Sequence, residues 1–330
     1  DIYLTVPFQK QMLSNDMAAD VNVSRKEYTL KIRYYSPHIL RLYTGLGEAD
    51  WEEETEMLKM ASDVRKVPLT VSEDHGLWSV CDEDGQLRAL INLREPVLEH
   101  WSNLLPPPQE TLDITFYPDT KKSVRLSAYD HFSPPRHDAL PLAYCTKNGR
   151  KERATVSFEC LPDEAFAGTG ERFYKMDLSG HTFQLKNQDG QGVNHRAYKN
   201  IPFYLSSRMY GVFYHTSSHC KLSLADHSTR SVQFLNDQAQ LDVFLIGGDM
   251  PEEILYGYRC LTGFPPMLPL WSYGVWMSRM TYFSADEVNT ICDRMRAEHY
   301  PCDVIHLDTG WFKTDWLCEW KFNEERFPQP

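Results

Sequence analysis

Tyr28, Leu30, Ile32 and Tyr34 alternate with Thr29, Lys31 and Arg33, the period-two pattern of a half-buried β-strand. Leu112, Ile114 and Phe116 repeat the alternation, as do Val124 with Leu126, and Leu241 with Val243 and Leu245. Turn-forming residues punctuate these runs at Pro106-Pro-Pro108, Asn187-Gln-Asp-Gly190 and Gly247-Gly-Asp249. Many short strands with frequent turns predict a β-sandwich over residues 1–248.

The pattern changes near residue 249. Asp249 is placed to cap a helix, Pro251 suits its first turn, and Gly263 suits its end. Ile254, Leu255, Tyr258 and Leu261 supply that helix with an apolar stripe, and Phe264-Pro-Pro-Met-Leu-Pro269 follows as a stiff connector, so residues 249–269 form a linking element. Trp271-Ser-Tyr-Gly-Val-Trp276 then reads as a short buried strand. Ser284-Ala-Asp-Glu287 makes a capping box, and Val288, Ile291, Cys292 and Met295 mark the inner face of the helix it starts. Tyr300-Pro301 stops that helix, and Cys302-Asp-Val-Ile-His-Leu-Asp308 reads as a second strand. Strand, helix and strand within residues 270–330 imply a parallel βαβ unit. One such unit cannot cover both faces of its sheet, so further chain or a partner is expected to complete the domain.

Composition narrows the classes. The 42% hydrophobic and 24% charged residues are those of an ordinary globular protein. A net charge of −12 excludes a nucleic-acid partner, which needs a basic footprint. No apolar run reaches the ~20 residues of a membrane helix, so no membrane partner is expected. The start, Asp1-Ile-Tyr-Leu, has neither an initiator Met nor the regions of a signal peptide. Eight cysteines are scattered without a CxxC pair, which fits reduced thiols and a cytoplasmic location. His215-Thr-Ser-Ser-His219-Cys220 has a spacing that zinc uses, but no further ligands accompany it, so neither metal nor cofactor is expected.

Candidate chemistry gathers late in the chain. Asp308 ends an apolar strand, the edge where α/β barrels place their working groups. Its carboxylate either accepts hydrogen bonds from sugar hydroxyls or caps the next turn. Trp311 beyond it is placed to stack on a pyranose face. Loop 277–283 opens on the same edge, so Arg279 and Tyr282 either line a pocket or pack against their own loop. Asp189 sits in ordinary turn chemistry and is not functional on pattern alone.

Five ordered landmarks go further: Gly168-Thr-Gly-Glu-Arg-Phe173, Ala197-Tyr-Lys-Asn-Ile-Pro-Phe-Tyr204, Tyr210-Gly-Val212, Leu270-Trp-Ser-Tyr-Gly274 and His306-Leu-Asp308. In order and spacing they resemble glycoside hydrolase family 31, most of all its bacterial α-xylosidase branch, and Phe327-Pro-Gln-Pro330 adds to the likeness. The resemblance implies a galactose-mutarotase-like β-sandwich followed by the first βαβ unit of a (β/α)8 barrel, here truncated, since such a barrel takes about 250 residues. It also implies retaining hydrolysis of terminal α-xylosyl residues of oligosaccharides, with α-glucosidase or another exo-α-glycosidase activity as the alternative. The family's nucleophile and acid/base lie on later barrel strands, so this segment alone is expected to be inactive and none of its residues is assigned as catalytic.

Two substrate-binding positions carry over from the resemblance. Asp308 matches a strand-2 carboxylate that binds distal hydroxyls of the sugar, and Asp189 matches an acidic residue on a sandwich loop. The family tunes its sugar with the pair after Asp308, where α-glucosidases tend to carry Ile-Asp and related α-xylosidases Cys-Phe. Here that pair is Thr309-Gly310, which removes both the aromatic wall and the extra hydroxyl acceptor. The remaining expected partner is the rest of the barrel, and a homo-oligomer is compatible with the sequence. A non-catalytic carbohydrate-binding or structural module is the reading from another class.

Overall fold

The computed structural model describes residues 2–6, 28–44, 55–62, 64, 67–93, 112–126, 142–147, 150–188 and 196–329. The Pro106–Pro108 turn and Asp189–Gly190 lie outside them. The chain divides into two units, residues 1–264 and 265–330.

The first unit is built from antiparallel sheets. A seven-stranded sheet runs in the order Ile2–Val6, Tyr28–Ser36, Ile39–Thr44, Leu241–Gly247, Tyr210–Tyr214, Asn200–Ser206, Phe166–Gly170. A five-stranded sheet runs His181–Leu185, Cys220–Leu224, Ser231–Asn236, Arg150–Glu159, Leu142–Lys147. A second five-stranded sheet is a meander of Thr70–Asp74, Leu77–Cys81, Leu87–Leu93, Leu112–Phe116 and Val124–Leu126. Period-two alternation lets every sheet turn one apolar face inward. Leu30, Ile32 and Tyr34 from the first sheet, Val156, Phe183 and Phe234 from the second, and Ile91, Ile114 and Phe116 from the third share one core. Within it, Tyr214 stacks on Phe234 with ring centroids 3.7 Å apart. Each such side chain contributes about 1.5–3 kcal/mol through burial alone.

Strand Tyr28–Ser36 departs from expectation, because it is buried on both faces. Ile32 is 0% exposed, yet Lys31 and Arg33 on the opposite face are each only 5% exposed. That outer face of the seven-stranded sheet carries a second cluster, in which Tyr35, Ile39, Phe213 and Phe244 meet Leu58 from an irregular segment and Ile254 and Leu261 from helix α1 (Pro251–Thr262). The covering segments are bonded to each other, Lys59 N–H donating to Leu261 O at 2.8 Å and Ala61 N–H to Cys260 O at 2.8 Å.

Helix α1 starts with Pro251 at its first position and ends at Gly263 (φ 97°), whose N–H donates to Arg259 O at 2.8 Å. The expected cap is corrected: Met250 occupies the N-cap, and the Asp249 carboxylate instead accepts from Lys122 Nζ at 3.0 Å. A distant lysine thus takes the group that local pattern assigned to the helix.

In the second unit, strands Trp276–Ser278 and Val304–His306 pair in parallel, with Trp276 opposite Val304 and Ser278 opposite His306. Helix α2 (Ala285–Ala297) joins them, completing the βαβ unit. Ser284 Oγ accepts from Glu287 N–H at 3.2 Å, while the Glu287 carboxylate accepts from Phe283 N–H at 2.7 Å. The helix ends at Ala297, ahead of Tyr300-Pro301. A second correction concerns Trp271–Trp276, which is not a buried strand. Leu270–Tyr273 forms a 3₁₀ turn, and strand pairing begins only at Trp276, whose indole N–H folds back to donate to Ser272 O at 3.0 Å. An apolar run of this length fits either state, and Pro269 ahead of it together with Gly274 behind it decides for the turn. Among the described residues, no helix is long and apolar enough to cross a membrane.

Candidate functional site

The carboxyl end of the parallel pair carries most of the sequence-predicted residues. His306 Nδ1 lies 3.1 Å from Ser278 Oγ, tying the two strand ends together. Two residues on, Asp308 stands at the head of a 3₁₀ turn, Thr309–Trp311, and its carboxylate makes no capping bond to that turn. Its side chain is exposed, so the carboxylate faces solvent at the strand edge. Thr309 is 8% exposed and Gly310 is buried.

Gly310 lies against the preceding loop. A Cβ there would stand 3.0 Å from the Tyr282 carbonyl and run into the Thr281 methyl, so the loop backbone fills the space where a side chain would begin. Arg326 Nη1 donates to the Gly310 carbonyl at 3.3 Å and to Asp315 Oδ1 at 2.8 Å, fixing the turn from its other side. Trp311 is half-buried, stacked on Phe312 at 4.1 Å and against Phe322 at 4.6 Å.

The loop before α2 is braced internally. The Arg279 guanidinium lies 5.1 Å over the Tyr282 ring and pairs with Glu287 at 3.2 Å. Tyr282 is 2% exposed, so of the two pocket candidates in this loop only Arg279 presents its side chain to solvent. The structure therefore brings Asp308, Thr309, Gly310 and Trp311 onto one turn and backs that turn with the loop of Arg279 and Tyr282. Asp189 lies outside the described residues.

The ends of the segment that holds Asp189 are described, and pattern reading missed what fixes them. Asn187 forms a bridge with Ala197, and Gln188 N–H donates to Ala197 O at 3.0 Å. Asn187 Oδ1 accepts from both the backbone N–H and the Nδ2 of Asn200, each at 3.0 Å. Asn200 Oδ1 accepts in turn from Arg172 Nη2, and Arg172 Nε donates to Thr169 Oγ1 at 2.8 Å. The signal in the sequence was that Thr169, Arg172, Ala197 and Asn200 fall in the Gly168–Phe173 and Ala197–Tyr204 landmarks, while Asn187 opens the Asn187–Gly190 turn between them.

His215 has a different use from the zinc its spacing admits. Its Nδ1 lies 2.7 Å from Asp242 Oδ2 and its Nε2 lies 2.8 Å from Thr55 Oγ1, so both ring nitrogens are engaged. Cys220 is buried, and burial pushes its thiol up to about 12, which opposes the thiolate a metal ligand requires.

The comparisons with known proteins cover both units. The glycosyl hydrolase 31 N-terminal galactose mutarotase-like domain matches residues 29–222, more than half of the chain, and the glycosyl hydrolases family 31 TIM-barrel domain matches residues 265–330. The α-xylosidase XylQ of Lactiplantibacillus pentosus is 38% identical over 170 residues, 51% of this chain and 22% of that relative. An α-glucosidase of Saccharolobus solfataricus is 25% identical over 173 residues, 51% of this chain and 25% of that protein. In structure, a family 31 dextranase of Flavobacterium johnsoniae aligns with a TM-score of 0.71 at 19% identity, over 91% of this chain and 33% of that one. The matched part thus spans under a third of these sequence relatives. The sandwich with its parallel βαβ unit, and sequence matches to the family's domains in both, lead to one conclusion: the chain belongs to glycoside hydrolase family 31.

Proposed function

We propose that the whole protein releases terminal α-xylosyl units from oligosaccharides with retention of configuration, and that this chain supplies one wall of the pocket that holds the departing sugar. The observation carrying this reading is Asp308, an exposed carboxylate at the carboxyl end of a parallel strand that leaves the following turn uncapped. A carboxylate in that state is free to accept from two sugar hydroxyls. The likeness to an α-xylosidase at 38% identity supports xylose.

In this reading Asp308 and Asp189 grip the hydroxyls of the non-reducing sugar. Trp311 and Arg279 shape the pocket directly, while Tyr282 acts from behind through the carbonyl that abuts Gly310. Thr309 and Gly310 set the floor. Retaining hydrolysis needs two further carboxyl groups about 5–5.5 Å apart, and no residue of this chain takes either role. Unpaired thiols at Cys81, Cys160, Cys220, Cys292, Cys302 and Cys318, among the described residues, support a reducing, cytoplasmic setting.

The α-glucosidase reading rests on a specific feature: Thr309-Gly310 offers no aromatic wall against a hydroxymethyl group. The deciding experiment measures kcat/KM of the full-length protein on nitrophenyl α-xyloside, α-glucoside and α-galactoside. Preference for xyloside is expected, and preference for glucoside transfers the assignment. Asp308→Ala should lower kcat/KM by about a hundredfold or more, since each hydrogen bond to a charged group is worth about 1.5–3 kcal/mol. Near-wild-type turnover by this variant sinks the role given to Asp308.

A further inference from the structure

Beyond the Asp308 turn the chain makes an excursion, residues 312–322, whose outgoing and returning ends run side by side. Phe312 bridges with Phe322, Lys313 N–H donates to Lys321 O at 2.8 Å, and Asn323 N–H donates to Trp311 O at 2.9 Å. Both acidic side chains of the excursion are engaged at its ends: Glu319 Oε1 accepts from Thr314 N–H at 2.8 Å, and Asp315 Oδ1 accepts from Arg326. These bonds give the excursion a fixed shape and leave rings, rather than carboxylates, as what it presents.

The rings grade from buried to open. Phe312 and Phe327 are buried, Trp311 is half-buried on top of Phe312, and Trp320 is 80% exposed. The Trp320 ring stands 5.9 Å from Trp311 at 59° and 6.4 Å from Phe312 at 86°. A pyranose held between two rings needs them about 8 Å apart, the sum of two van der Waals contacts of ~4 Å. Trp311 and Trp320 are too close for that, so they form one bent wall with Trp320 as its open end. Trp320 also adopts φ 54°, a left-handed conformation that bulky residues rarely enter. Neither burial nor backbone preference accounts for a tryptophan here, and strain of this kind gathers at functional positions. An open indole face with one N–H at its edge suits the C–H face of an uncharged sugar ring.

We propose that Trp320 is the platform for the sugar next to the terminal xylosyl unit, so that this chain reads the length of the oligosaccharide as well as its last residue. The proposal rests on the reading above, in which Asp308 holds the terminal sugar beside Trp311; Trp320 continues that aromatic wall by one ring. Binding energy from a sugar that does not itself react is then realised as faster turnover of longer substrates.

The test uses the full-length enzyme and compares kcat/KM on a trisaccharide ending in an α-xylosyl unit with kcat/KM on α-xylosyl fluoride, whose leaving group has no ring. Trp320→Ala should lower the ratio of the two by about five- to tenfold. Its melting temperature should stay within about 2 °C of wild type, because so exposed a ring buries little surface. Trp320→Phe keeps an aromatic face and should recover most of the ratio. Trp316→Ala removes another exposed indole, one without a ring contact to Trp311 among the described residues, and should leave the ratio unchanged. If the alanine variant does not fold, Trp320→Gly decides, because glycine accepts the left-handed backbone. An unchanged ratio overturns the proposal, with or without a change in oligomeric size, and so does an equal fall in Trp316→Ala. A melting temperature lowered by more than about 5 °C assigns the ring to packing and overturns it too. If the wild type prefers glucosides, the xylosyl reading falls by itself, and the same ratio taken with an α-glucosyl trisaccharide and α-glucosyl fluoride still decides for or against Trp320.

Discussion

Asp242→Ala tests the energetics of the sandwich most directly. Arg41 is completely buried, and its Nε and Nη2 donate to Asp242 Oδ1 and Oδ2 at 2.7 and 2.6 Å. The same carboxylate meets His215 at 2.7 Å, and His215 meets Thr55, so one residue ties the outer face of the sheet to the segment lying over it. Removing one partner of a buried ion pair costs about 3–5 kcal/mol, because the other charge stays desolvated. After the substitution Arg41 keeps the Tyr35 hydroxyl at 3.5 Å and the Phe244 ring at 5.0 Å, which soften the loss without replacing the carboxylate. Against a typical domain stability of about 5–15 kcal/mol the change is large. Hydrogen exchange at the amides of Ile39–Thr44 and Leu241–Gly247 measures it in the whole protein, separately from other domains. Exchange there should accelerate by roughly two to three and a half powers of ten, at about 1.4 kcal/mol per decade. Replacing both partners, Arg41→Met with Asp242→Leu, should return stability to within about 1 kcal/mol of wild type. An Asp242→Ala protein within about 0.5 kcal/mol of wild type would refute the claim that this pair is buried and mutually dependent.

Gly310→Phe, which imitates the aromatic of related α-xylosidases, should destabilise the second unit by about 1–3 kcal/mol, read as a lower melting temperature, because its Cβ meets the Tyr282 carbonyl. Thiol labelling of the native protein should reach exposed Cys318 quickly, while Cys160 and Cys220, buried and with their thiols pushed up to about 12, should react only on unfolding; rapid native labelling of either contradicts the described core. Asp82 gives a pH signature. Its burial favours the neutral acid, but Arg88 Nε at 2.7 Å and the Gln86 N–H at 2.9 Å outweigh this and hold the carboxyl below its ordinary value. A lowered folded-state value adds stability above the unfolded value near pH 4 and loses it as pH falls through the folded one. Arg88→Met should therefore flatten the acid limb of the unfolding curve, and an unchanged limb counts against the pairing.

Much of the fold was legible because its signals are local. Alternation located strands such as Leu241–Gly247, and the Ser284–Glu287 box located α2, since each depends on neighbours a few residues away. The misreadings share a non-local cause. Asp249 was lost to a lysine 127 residues distant, and Tyr35 on the second face of Tyr28–Ser36 clusters with Leu58 and with Ile254 and Leu261 of α1, which no window around Tyr35 contains. At the candidate site, motif position singled out Asp308, whereas the burial of Tyr282 and the backing of Gly310 follow from loop geometry. Arg172 and Asn200 sat inside the landmarks and Asn187 in a turn between them, but only their shared hydrogen bonds identify them as a set.

Strand Leu241–Gly247 lies between Ile39–Thr44 and Tyr210–Tyr214, at the centre of the seven-stranded sheet. The early strands therefore wait on the ribosome for a partner about two hundred residues downstream, roughly 10–40 s of synthesis at 5–20 residues per second. Until it arrives, the Ile39–Thr44 edge stands open, with Leu40 and Leu42 lacking their native neighbours Leu245 and Val243. Yield in the cell then depends on how well that nascent edge is shielded, so faster translation or overexpressed holding chaperones should raise soluble protein without altering the stability of the finished sheet.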